Sequence, residues 1–138
     1  MDLTNINYLA VAVSAIASFA FGALWYSPLL FSKTWQKHVG LTDEDIKNAN
    51  MAKIFGTTFI LTIVMAFGMA LLIQARSTVS FDWLSGLFHG LAVGIFFVSA
   101  SMAINYLYQR KSFTLWAIDA GYQVLFLCLM GTILGAWH

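Results

Sequence analysis

A water-soluble domain covers itself with charged side chains, about a quarter of its residues, and this sequence has too few to do so. Of its 138 residues only 9% are Asp, Glu, Lys or Arg, while 60% are hydrophobic, and mean hydropathy is +0.78. Lipid must therefore be the solvent for most of the surface, and the length fits one domain. The other shortages exclude whole function classes. A net charge of +1 without a basic stripe removes nucleic acid as a partner. One cysteine, Cys128, rules out an intrachain disulfide and a cysteine-rich metal site. No HxxxH, HExxH, CxxC or Glu-xx-His spacing occurs, so no metal or other cofactor is expected. A nucleophile with its base and orienting group cannot be assembled either, and the expectation is a protein that is not an enzyme.

What the sequence does have is four long apolar runs. The expected fold is all-α, an integral membrane four-helix bundle in a single transmembrane domain over residues 1–138. Its spans fall at about 8–25, 54–73, 84–108 and 113–137, each long enough to cross the hydrocarbon core. Only Asp2 is charged before the first run, whereas a cleaved leader opens on basic residues, so Tyr8–Trp25 reads as a retained span.

After it, Ser27 and Pro28 read as the N-cap and first residue of a short helix over about 28–39. Its mixed composition suits an amphipathic segment in the interface, with Lys33 and Lys37 toward lipid headgroups. Thr42 with Asp45 three residues on resembles a capping box, and a helix starting there is expected to run into the second span. Asp43, Glu44 and Asp45 point in different directions round such a helix, so they read as a solvated cap rather than a metal site. A short polar turn is expected at Gln74–Thr78. Lys33, Lys37, Lys47, Lys53, Arg110 and Lys111 fall on one side of the spans and only Arg76 on the other. That bias places both basic loops in the cytoplasm and both termini outside.

Small residues mark the packing faces. Ser14, Ser18 and Gly22 continue a four-residue rhythm from Ala10, Gly86, Gly90 and Gly94 make two overlapping GxxxG units, and Gly131 and Gly135 repeat the device. These are more stripes than one small bundle needs, so self-association into a homo-oligomer in the lipid bilayer is expected. The serines are expected to pack or to bond back to their own helix. His89, among the glycines, reads as an interhelical hydrogen-bonder.

The polar centre is Asn105 to Gln123. Ser112 lies seven residues from both Asn105 and Asp119. On antiparallel helices those two share a depth, roughly 10 Å below the turn. An acid at that depth is expensive and needs partners, which makes it a site by default. The expected polar cluster is Asp119, Asn105, Ser101, Tyr122 and Gln123. Ser101 and Gly94 share a face with Asn105, and Tyr122 and Gln123 share one with Asp119. Two functions follow. In one, the cluster clamps the helices of a structural or partner-binding bundle. In the other, Asp119 serves a minimal oligomeric transporter or channel for a proton, a cation or a small molecule. Beyond Gln123 the fourth span offers only Thr132 as a polar residue, which favours the first; Ser14, Ser18, Thr58 and Thr62 are the side chains that could line a path.

At WYSPLLFSKTW (Trp25–Trp35), LWAIDAGYQ (Leu115–Gln123) and GTILGAW (Gly131–Trp137) the chain resembles a known family. It is similar to the small bacterial inner-membrane proteins grouped as domain of unknown function (DUF) family 1761. The resemblance covers nearly the whole chain and implies a four-helix integral membrane protein of the bacterial inner membrane. It brings no activity, cofactor, ligand or catalytic residue.

Overall fold

The computed structural model describes residues 2–76 and 81–138. Helix α1 spans Tyr8–Trp25 and opens with the Asn7 side chain accepting the Ala10 amide. Helices α2 (Ser32–Val39) and α3 (Asp43–Lys47) lead to α4 (Met51–Gln74). The third long helix is composite: α5 (Trp83–Ala92), a π-helical segment (Val93–Ser99), then α6 (Ala100–Tyr108). Helix α7 spans Phe113–Ala136. Four of these stretches, Tyr8–Trp25, Met51–Gln74, Trp83–Tyr108 and Phe113–Ala136, are long and apolar enough to cross a membrane. The Gln74–Thr78 turn lies partly outside the described residues.

The connection after α1 departs from expectation in a way its hydrogen bonds explain. Ser27 does not cap a forward helix; its hydroxyl donates back to the Leu24 carbonyl at 2.6 Å. The chain then turns tightly, with the Phe31 amide on the Trp25 carbonyl at 3.2 Å, and α2 starts only at Ser32. It stops at Gly40, whose φ of 81° is the left-handed cap that glycine adopts without strain. Thr42 and Asp45 form the reciprocal capping box of α3. That helix does not continue into the second span. The Asn50 side chain instead accepts the Lys53 amide at 3.1 Å and starts α4 afresh, since asparagine competes well for nearby backbone groups.

Helix α7 is the hub, packing on α1, α4, α5, the π segment and α2. Ala10, Val11 and Ala15 of α1, Ala66, Met69 and Ile73 of α4, and Phe126, Leu127, Met130 and Leu134 of α7 form one core. The third span joins this assembly through its glycines. A Cβ on Gly86 would overlap the Gly131 carbonyl, one on Gly90 would overlap the Leu127 carbonyl, and one on Gly94 would lie 2.9 Å from the Val124 Cα. From the other side, a Cβ on Gly131 would overlap the Gly86 carbonyl. Backbone therefore touches backbone along the first half of this pair, the close approach that GxxxG spacing permits. Past the π segment the two helices stand further apart, and long side chains fill the gap.

Candidate functional site

The one acid inside the spans, Asp119, is half-buried on α7, and the chain brings it two hydroxyls. Tyr26, the C-cap of α1, donates to Oδ1 at 2.6 Å, and Tyr106 of α6 donates to Oδ2 at 2.5 Å. Each carboxyl oxygen thus has a short hydroxyl donor of its own. Three segments distant in sequence are tied at one atom group.

Aromatic side chains surround it. Trp35 of α2 meets the Tyr26 ring edge-on at 5.9 Å, and Tyr122 meets it at 5.4 Å. The Trp25 indole donates to the Ile118 carbonyl at 3.0 Å, and its ring lies 4.6 Å from Phe31. Trp116 donates to the Ser99 carbonyl at 3.0 Å, where the π segment hands over to α6. Positive charge stays at the rim, with the Lys111 ammonium 5.7 Å from the centre of the Tyr106 ring. Ser112 caps α7 by accepting the Leu115 amide, and its hydroxyl lies 3.0 Å from His38 Nδ1 on α2. The excursion between the first two spans is therefore packed over the Ser112 end of the site.

Of the residues expected around Asp119, the structure brings up none as a hydrogen-bond partner. Asn105 and Ser101 are exposed on the third span. The cause is the π segment. Eleven residues separate Gly94 from Asn105, and three α-helical turns would return to the same face. A π turn takes one residue more, so position 106 inherits the inward direction and Asn105 turns away. Gln123 is half-buried with no bond to the carboxylate. Tyr122 is near but engaged elsewhere. Its hydroxyl donates to the Ser18 carbonyl at 3.4 Å and sits over Gly22, where a Cβ would come within 2.7 Å of it.

Ser14 and Ser18 pack with both side chains fully buried, and neither hydroxyl returns to its own helix. One further expectation changes. His89 does not reach across helices; Nδ1 lies 2.7 Å from the Ser85 carbonyl one turn back, with the ring against Phe81 at 5.2 Å. Tyr26, Tyr106, Trp25 and Trp35 are the participants that sequence reasoning did not assign. Tyr26 had a signal, since WYSP and LWAIDAGYQ, two stretches that carry the family resemblance, are the ones that meet here.

The family described as Protein of unknown function (DUF1761) matches residues 9–135. The chain belongs to that family. The matched DUF1761 region takes in all but the first residue of α1 and the last of α7, and every residue of the Asp119 cluster. No curated protein and no solved structure matches the chain.

Proposed function

We propose that this DUF1761 protein is a non-enzymatic structural or partner-binding bundle of the bacterial inner membrane that self-associates through its third span. The observation that supports this is the outward position of Asn105, with Ser101 one turn before it, among the exposed apolar side chains Phe97, Ile104 and Leu107. Lipid can neither donate to nor accept from a carboxamide. A second copy can do both, because asparagine is donor and acceptor at once and a twofold axis pairs it with itself. The Asp119 clamp supports the same reading, since it fixes the span that carries the contact. Sedimentation in mild detergent tests it. The wild type should be a dimer or larger, and Asn105→Leu should weaken association roughly fivefold, about 1 kcal/mol. A monomeric wild type would end this reading.

Orientation in this proposal puts both termini outside, on the strength of the six basic residues flanking the other ends of the spans. A reporter that works only in the cytoplasm, fused after His138, should stay silent. Full activity there would invert the topology.

A further inference from the structure

Serine and threonine inside a helix ordinarily return the hydroxyl to a carbonyl one turn back. Thr58, Thr62, Ser99 and Thr132 do so here, at 2.7, 2.8, 2.9 and 2.7 Å. Ser14 and Ser18 do not. Both are 0% exposed and both hydroxyls lack a partner among the described residues. Among the described residues one other buried side-chain atom is orphaned in this way, Gln74 Oε1.

Two of the three orphans lie on α1 and the third lies at one end of the bundle. Gln74, Asn7 and Leu134 line a cavity of about 410 Å³ at the end of the bundle that holds the termini. Ser14 and Ser18 follow on the buried face of α1. The Ser18 carbonyl then receives the Tyr122 hydroxyl, the Tyr122 ring abuts Tyr26, and Tyr26 donates to Asp119. From Ser14 to Tyr26 is about 18 Å of helix, more than half of a hydrocarbon core about 30 Å thick. Ala10 and Val11 leave one apolar turn between Ser14 and the cavity.

A buried hydroxyl without a partner is costly, and water is the usual remedy where polar groups follow one another. We propose that water occupies the α1 seam at Ser14 and Ser18, and that this file passes protons between the terminus-end cavity and Asp119. The chemistry needs no co-reactant. Each water or hydroxyl accepts a proton from one neighbour while releasing one to the next, so the file is unchanged after a proton has crossed and the hydroxyls have turned back. Asp119 takes up that proton and gives it to water at the basic-loop end. Tyr26 and Tyr106 keep the carboxyl hydrogen-bonded in either state. The polar groups next in line are Tyr122 against the Tyr26 ring, Lys111 over the Tyr106 ring, and His38 on Ser112 at the start of α7. This activity is independent of the dimer proposed above.

The test uses the full chain in liposomes, with a potassium diffusion potential as driving force and a trapped pH-sensitive dye. The wild type should acidify the lumen well faster than protein-free vesicles. Asp119→Asn should lower the rate about tenfold, because an amide does not titrate, and Ser14→Ala with Ser18→Ala should lower it several-fold. Wild-type flux equal to that of empty vesicles would overturn the proposal. The melting temperature of the double alanine variant decides the water separately. A dry orphan hydroxyl is better replaced by alanine, so a raised melting temperature means no water and overturns the proposal. An unchanged or lowered value supports it.

Discussion

Between Trp83 and Ala92 the third span meets α7 backbone to backbone, whereas between Ser99 and Tyr108 long side chains make the joint. The first joint is made of glycines and carbonyls, with no room for a methyl group. The second is made of Tyr106 on Asp119 and Trp116 on the Ser99 carbonyl. Lipid gives apolar helices no reason to associate, so a span needs close van der Waals contact or hydrogen bonds to hold its neighbour. This pair uses one of those along half its length and the other along the rest. The glycine half can only be closed or broken. The tyrosine half holds polar groups that can exchange partners.

The comparison can be broken at its rigid half first. Replacing Gly90 and Gly94 together with leucine should have the largest effect, loss of the fold or more than about 3 kcal/mol, because backbone atoms cannot move aside. Gly68, which has nothing within 4 Å of its Cβ position, is the control; alanine there should change stability by less than about 0.5 kcal/mol. Thermal melting of the purified variants decides, and a Gly90/Gly94 variant that melts like the wild type would mean the two halves do not differ as described. A smaller effect is expected at the polar half. Tyr106→Phe should cost about 1 kcal/mol, and a double-mutant cycle with Asp119→Asn should show coupling of similar size. The same cycle with Asn105→Leu in place of Tyr106→Phe should give none. Coupling at 105 rather than 106 would remove the π segment from the explanation.

Much of the fold was legible because its signals are local. Apolar runs of the right length announced the four long helices, and the four-residue spacing of Gly86, Gly90 and Gly94 marks the points where α5 meets α7. Asp119 stood out because an acid inside a span is costly wherever it lies. Its partners were not legible, for a physical reason. Counting faces from Gly94 assumes 3.6 residues per turn throughout, and VGIFFVS has nothing in its composition to say that one turn takes more. The error is one residue, Asn105 for Tyr106, and it rotates the side chain by about 100°. Tyr26 was hidden differently. It lies 93 positions from Asp119, and only packing against α7 brings the end of α1 there. The orphaned serine hydroxyls were unreadable too, since whether a serine turns back to its helix depends on what lies across from it.

The central place of α7 also has a consequence in time. Chains are made from the N-terminus onward, and spans enter the bilayer as they emerge. Helices α1 and α4 can pair as soon as both exist, for they pack on each other. The third span has its main neighbour in α7, which follows it in the chain. During synthesis it must wait in the bilayer with its glycine face against lipid and Tyr106 without its carboxylate. Only when Phe113–Ala136 has been made can the glycine joint close and Asp119 collect its two hydroxyls. Helix α7, made after the other three, is the one that ties the third span to the α1–α4 pair.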